Sequence, residues 1–381
     1  MRPLPPIYPI TDAAAPLALA EQVARLGGAG FPLVQFRGKP LEAKAQWEQL
    51  RAALMASREN GGWPLICVND RADLAVLAAA EGLTPWGLHL GQGDLPQAEA
   101  ARLPGLETLR FGASTHSARE WAAAAPPADH AGVGPFRATG TKADHEPPIG
   151  LEGLRAGSAG LRAKGVAPVA IGGLRAEDAQ ACFEAGAESL AMIGEVARAE
   201  DPAALGWAVQ RARWRARPVD LRGGLLIAGS SGAGKSALAA LLAEGAGLPL
   251  HDLDAEIARF EGRSIPEIFI RDGEAAFRAL EARYLAPLLA SPAIIALGGG
   301  AWETAAVRAA AAASAFRAVW LAEPPGRCWT RVASDPDRPL AQDRDAFMAR
   351  HRARLPRWAE LDCVLPFGRS AAEVAQAILA P

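Results

Sequence analysis

The chain has 381 residues, half of them hydrophobic and 22% charged, with a net charge of −2. At roughly 100–200 residues per domain, this length suggests two domains, and so even a charge balance gives no general reason to expect nucleic acid or an anionic membrane as a partner. The four cysteines, Cys67, Cys182, Cys328 and Cys363, stand far apart with no CxxC pair, so neither a zinc site nor a disulfide framework is indicated.

From the start of the chain, MRPLPPIYPITD has no basic segment followed by an apolar stretch, so no signal peptide is expected. No run approaches the ~20 apolar residues that span a bilayer. A soluble cytoplasmic protein with reduced thiols is the expectation.

The first half shows eight candidate strands, near Ile7–Ile10, Pro32–Phe36, Pro64–Val68, Trp86–Leu90, Arg110–Ala113, Ala131–Gly134, Pro168–Ile171 and Ser189–Ile193. Amphipathic stretches such as Ala15–Leu26 and Leu41–Glu59 lie between them. Alternating strands and helices imply a parallel sheet covered by helices. Eight such units fit a small closed (βα)8 TIM barrel, with a doubly wound open sheet as the alternative. At Arg211–Arg222 the pattern breaks in RARWRARPVDLR. It reads as the end of a helix and then a linker whose arginines are solvated. The domains are therefore set at 1–215 and 223–381, with 216–222 as linker. The second half carries five strands, near Gly224–Ala228, Pro249–Asp252, Ala293–Leu297, Arg317–Leu321 and Leu361–Leu365. They suit an open three-layer α/β domain with a five-stranded parallel sheet. The alanine run Ala309–Ala313 reads as a packed helix.

Only five of the 40 basic residues are lysines: Lys39, Lys44, Lys142, Lys164 and Lys235. Where arginine serves nearly everywhere, a retained lysine points to a need for a compact point charge, as at phosphate sites. Lys235 stands in Gly229-Ser-Ser-Gly-Ala-Gly-Lys235-Ser236, which fits the phosphate-loop pattern of two glycines with four residues between them followed by Lys-Ser. An apolar strand runs into it and the helix Ala237–Glu244 leaves it. Backbone N–H groups of Gly232, Ala233, Gly234 and Ala237 can then wrap the phosphates of ATP at a positive helix end. Lys235 would reach the β- and γ-phosphates, and Ser236 would bind Mg2+. No asparagine occurs after Asn69, so the guanine-reading NKxD motif is absent.

The segments beyond the loop are more specific. Asp252-Leu-Asp254, Gly262-Arg-Ser-Ile265, Asp272-Gly-Glu274, Phe277-Arg278-Ala-Leu-Glu281, Gly298-Gly-Gly300, Arg338-Pro-Leu340 and Arg354-x-Pro356-x-Trp358 occur in this order. The second domain thereby resembles shikimate kinase over nearly its whole length. The resemblance implies that Arg278 and Arg354 clamp the substrate carboxylate and that Asp254 orients or deprotonates the attacking hydroxyl. It also implies that Asp252 holds Mg2+ through water and that Gly298, Gly299 and Gly300 let the substrate ring approach closely. Arg338 would neutralise the transferring phosphoryl group from a lid, with Arg331 stacked on adenine. Trp358 replaces the family's tyrosine, and Arg352 lies close enough to Arg354 to take its place in the alignment.

In the first domain the carrying residues are Gln35-Phe-Arg37-Gly-Lys39, Asn69-Asp70, His89-Leu-Gly-Gln92-Gly-Asp94 and Gly112-Ala-Ser114-Thr-His116. Gly134-Pro135, Thr139-Gly-Thr141-Lys142, Ile171-Gly172-Gly173 and Met192-Ile193 complete the set. Every one sits at a strand's C-terminal end, where barrel active sites are built. The domain resembles thiamine-phosphate synthase. That implies Gln35 on the pyrimidine, Arg37, Lys39 and Lys142 on the departing pyrophosphate, and Asp70 and Asp94 on Mg2+. Asn69 and Ser114 would be hydrogen-bonding partners, and Thr139, Thr141 and Gly173 would face the thiazole phosphate. Lys235, Asp254, Arg338 and Lys142 are the catalytic residues so implied. His89 and His116 read as hydrogen-bonded rim or core residues. Gly38 stands where the family often has glutamate, and Gly194 replaces the serine usual after Met-Ile. The partners implied are small molecules: shikimate, ATP, a pyrimidine diphosphate and a thiazole phosphate. The alternatives are a non-catalytic or thiazole-isomerising barrel, and a kinase for another small polyol acid.

Overall fold

A computed structural model describes residues 2–124, 126–138, 147–335 and 342–380. By Cα proximity the chain forms two compact units, 1–59 with 63–217, and 60–62 with 218–381. The first contains β1 (Ile7–Pro9), β2 (Leu33–Phe36), β3 (Leu65–Asn69), β4 (Gly87–Leu90), β5 (Arg110–Thr115), β6 (Ala128–Val133), β7 (Ala167–Ile171) and β8 (Ser189–Met192). They pair in parallel in the order β1-β8-β7-β6-β5-β4-β3-β2. The ends of this sheet meet, because Ile10 bridges to Gln35 and Thr11 N–H donates to the Gln35 carbonyl at 3.0 Å. The ring is therefore closed and the open-sheet alternative falls. Its strands are buried almost residue for residue, as sheets packed on both faces require. Tyr8, Ile10, Leu33, Cys67, Val169 and Ala191 meet in its core.

The first helix spans Leu19–Ala29 and buries Leu19, Val23 and Leu26, one apolar stripe of period 3.6. The sequence placed its end at Leu26, before two glycines. Those glycines stay helical: a Cβ on Gly27 would stand 2.5 Å from the Pro64 ring. Gly27 thus permits close packing, and Gly30 at φ 117° ends the helix. In the arginine-rich stretch the helix Pro202–Ala216, capped by Asp201, ends about where expected, but two of the arginines differ from expectation. Arg213 of this helix and the adjoining Arg217 lie 3.2 and 3.0 Å from the Glu188 carboxylate, which Arg162 also reaches. These arginines are held at a buried acid, not solvated.

The second unit contains β9 (Leu225–Ala228), β10 (Leu250–Asp252), β11 (Ile294–Ala296), β12 (Arg317–Leu321) and β13 (Asp362–Val364). All are parallel, in the order β10-β11-β9-β12-β13. Central β9 receives β11 on one side and β12 on the other, which makes its C-terminal end the switch point of an open sheet. Helix Lys235–Ala246 leaves from that end, and the alanine run lies in helix Ala305–Ala312, packed through Val307 and Ala311. Among the described residues no helix is long and apolar enough to cross a membrane.

Candidate active sites

In the second unit the phosphate loop comes directly after β9. Gly229, Gly232 and Gly234 have φ of 144°, 80° and 97°, conformations that side chains disfavour. They let the loop wind tightly into the helix that starts at Lys235. Lys235 is buried, and its Nζ donates to the Ser230 carbonyl at 2.9 Å. Ser236 Oγ donates to Asp252 Oδ2 at 2.6 Å, and Asp252 also caps the helix Leu253–Glu261.

Beside the loop, the glycine turn after β11 gathers charge. A Cβ on Gly298 would stand 2.5 Å from Asp254 Oδ1 and 2.6 Å from Glu281 Oε1. On Gly299 it would stand 2.6 Å from Ser231 Oγ of the phosphate loop and 3.7 Å from Arg354 Nη1. On Gly300 it would strike the Arg278 guanidinium. The three glycines thus make room for charged side chains to converge, a crowding that the sequence assigned only to a ligand. Arg278 donates to Glu281 at 2.7 Å and to Glu274 at 2.8 Å, while Arg354 Nε donates to Glu303 at 3.2 Å. Glu281 is fully buried, and burial pushes its carboxyl up to about 7 against the pull of Arg278. Arg354, not the exposed Arg352, reaches the turn. Arg331 Nη1 donates to the Gly232 carbonyl at 3.0 Å. Arg338 lies outside the described residues.

In the first unit, the C-terminal ends of the strands bring together Lys39, Asp70 and Asp94. Lys39 Nζ lies 2.5 Å from Asp70 Oδ2, and Gly91 N–H donates to Asp94 Oδ2 at 2.7 Å. The two carboxylates lie close enough to shift each other's titration in opposite directions. Burial pushes Asp70 upward, but the Lys39 ammonium outweighs it and holds Asp70 below the usual carboxylate range. Burial and, after the opposing Gly91 N–H, the Asp70 charge hold Asp94 above that range. Asn69 ends β3, and Arg37 comes after β2 with its N–H donating to Thr11 Oγ1 at 2.9 Å. Ser114 Oγ lies 3.1 Å from His89 Nε2, and His116 Nδ1 lies 3.1 Å from the Gly134 carbonyl, the bonded roles expected of these histidines. Deeper in the ring, Gln35 Nε2 donates to Tyr8 Oη at 3.3 Å.

At the rim beyond β7 and β8, Gly173 has φ 63°. A Cβ on Gly194 would stand 3.0 Å from Arg198 Nη1, so a guanidinium occupies the space beside that glycine. Thr139, Thr141 and Lys142 lie outside the described residues.

Residues 7–196 match the thiamine monophosphate synthase family, and residues 231–380 match the shikimate kinase family. The chain is 39% identical to the thiamine-phosphate synthase of Azorhizobium caulinodans over 199 residues, 51% of this chain and 88% of that protein. It is 41% identical to that of Anaeromyxobacter dehalogenans over 207 residues, 54% of this chain and 86% of that protein. A solved shikimate kinase from Acinetobacter baumannii, in complex with shikimate, is 31% identical; the match covers 41% of this chain and 90% of that one, with a TM-score of 0.39. The chain belongs to both families, one in each half. It is thus a fusion of a thiamine monophosphate synthase barrel with a shikimate kinase domain.

Several residues at these family sites carry no motif of their own. Glu303, Glu323 and Arg198 enter only through the fold. Glu303 and Glu323 do lie just past the C-terminal ends of β11 and β12, where open α/β sheets bind ligands, and that placement is the one signal available to sequence.

Proposed function

We propose that the second unit transfers the γ-phosphoryl group of ATP to a hydroxyl of shikimate. The first joins hydroxymethylpyrimidine diphosphate to a thiazole phosphate and releases pyrophosphate. The observation that carries this reading is the glycine turn at 298–300. One wall of it is Ser231 of the phosphate loop, and the others are Asp254, Arg278 and Arg354. A phosphoryl donor and an acidic, hydroxylated acceptor would meet there. Arg278 and Arg354 take the acceptor's carboxylate, for which guanidinium geometry is suited; Glu274, Glu281 and Glu303 hold the two arginines in orientation. Asp254 accepts the proton of the attacking hydroxyl, and Lys235 neutralises charge on the β- and γ-phosphates. Arg338 adds to that neutralisation, and Arg331 stacks on the adenine.

In the barrel, Arg37, Lys39 and Lys142 stabilise the departing pyrophosphate, the dominant requirement when a leaving group carries such charge. Gln35 holds the pyrimidine, with Asn69 and Ser114 as hydrogen-bonding partners. Thr139, Thr141, Gly173 and Arg198 receive the thiazole side.

Both units fit Mg2+. Ser236 and Asp252 are hard oxygen donors already in contact beside the phosphate loop. Asp70 and Asp94 are neighbouring carboxylates whose charges act on each other and between which a cation would be favoured, while among the described residues no group of three or more His, Cys, Asp or Glu side chains stands ready to hold a metal. Such a two-carboxylate site suits an ion that keeps several waters. When bound, Mg2+ neutralises charge on phosphate oxygens. The reading assigns the two activities to domains 1–215 and 223–381 joined by 216–222. The free cysteines, three of them buried, suit a reducing cytoplasm.

Assays of the full chain test both activities. ADP release with shikimate, and not with gluconate, is expected; the reverse overturns the acceptor assignment. With both thiamine precursors, thiamine phosphate and pyrophosphate should appear together. Pyrophosphate alone, or neither product, overturns the synthase assignment.

A further inference from the structure

Two residues past β12, Glu323 is 3% exposed. Its Oε1 lies 3.3 Å from Arg331 Nη2 and 3.6 Å from Arg327 Nη1, both on the helix Pro325–Val332. Burial pushes this carboxyl upward, opposed by the two arginines. A buried ion pair of this kind is poor evidence for stability, because desolvation offsets much of the attraction. Its position suggests a different use.

Arg331 is held from two sides. Nη2 faces Glu323, and Nη1 donates to the Gly232 carbonyl at 3.0 Å inside the phosphate loop. Both contacts engage N–H groups that lie in the guanidinium plane, so together they fix that plane while leaving its faces uncommitted. The side chain remains 49% exposed. A guanidinium gripped by its edge offers a flat cationic surface to a planar ring. Because the grip runs to the loop that cradles phosphates, the ring at hand is the base of the bound nucleotide.

We propose that Glu323 is a positioning residue for the nucleotide: it fixes Arg331 against Gly232 so that the arginine's face receives the purine of ATP. The inference rests on the ATP-site reading given above, in which Arg331 stacks on adenine, and adds to it the group that sets the stack.

The test uses the full-length protein and kinase kinetics with ATP varied at saturating shikimate, then shikimate varied at saturating ATP. Glu323→Gln, nearly isosteric, should raise the KM for ATP about three- to tenfold, the range expected when contacting residues are uncoupled, with kcat and the KM for shikimate within about twofold. Arg331→Ala should raise the KM for ATP at least as much. Glu323→Gln added to Arg331→Ala should do nothing further, because Glu323 acts only through the arginine. Arg331→Lys, an exposed change that keeps the charge and removes the planar face, should behave like Arg331→Ala. If Arg331→Ala leaves the KM for ATP unchanged, the stacking assignment fails and this inference with it. If Arg331→Ala raises it and Glu323→Gln does not, the stack stands and the role of Glu323 is overturned. An effect of Glu323→Gln that persists in the Arg331→Ala background overturns it as well, since it would mark a purely structural acid. Wild-type ATP affinity in Arg331→Lys would overturn the argument from planarity.

Discussion

The two candidate sites are assembled in opposite ways. In the barrel, single residues are collected from the ends of many strands: Arg37 and Lys39 lie past β2, Asp70 past β3, Asp94 past β4, and Ser114 belongs to β5. Closure of the ring is what makes these ends face one another. In the kinase, two backbone segments do most of the work, the phosphate loop after β9 and the glycine turn after the adjacent β11. There, glycine removes side chains so that others can crowd in. A site gathered by closure depends on each charge separately, and a site built on a glycine crevice depends on the arginines and acids packed around it.

The sharpest test of that contrast is reciprocal. Lys235→Ala should lower shikimate phosphorylation about a hundred- to a thousandfold, the usual range for loss of one preorganised charge, and leave thiamine phosphate formation unchanged. Asp70→Asn should do the opposite. Assaying both products for each variant would break the picture of two independent sites if either change depressed both. A step smaller, Arg354→Lys should raise the KM for shikimate about tenfold through loss of bidentate geometry, while Arg352→Lys should leave it unaltered. A shift with Arg352→Lys and none with Arg354→Lys would move the carboxylate clamp away from the glycine turn. Smaller again, Arg198→Ala should raise the KM for thiazole phosphate a few-fold, about 1 kcal/mol for one solvated charge contact; an unchanged KM would separate Arg198 from the rim site.

The smallest effect concerns stability. Burial raises the Glu281 carboxyl from 4.5 to about 7. Because the folded state holds this proton more tightly, the stabilisation is fully present below about 4.5 and is lost as pH rises through about 7. In thermal melts, Glu281→Gln should therefore flatten the fall of Tm with rising pH across that window. An equal slope in both proteins would place the buried proton elsewhere.

The strands and the phosphate loop were legible in sequence because each is a local pattern: an apolar run, a glycine spacing, a lysine kept among arginines. The closed ring was legible only as one of two topologies, since the Ile10 to Gln35 bridge that settles it joins residues far apart in the chain. Glu323 lies only eight residues before Arg331 and is marked by no motif, but separation in the chain hid Glu303 beside Arg354. It also misled the reading of the basic stretch, where solvation was expected and Glu188 was found. Gly27 shows the remaining failure: the helix was read only as far as Leu26, and the glycine that continues it packs against a proline ring from another segment.

Glu188 has a mechanical consequence. It lies one residue before β8 begins, at the foot of the barrel, on the face opposite the strand ends that carry the site. Arg217 grips it at 3.0 Å and also donates to the Phe183 and Ala187 carbonyls at 2.9 and 3.0 Å. One guanidinium thus fastens the end of the first unit's last helix to three groups at the foot of its own barrel.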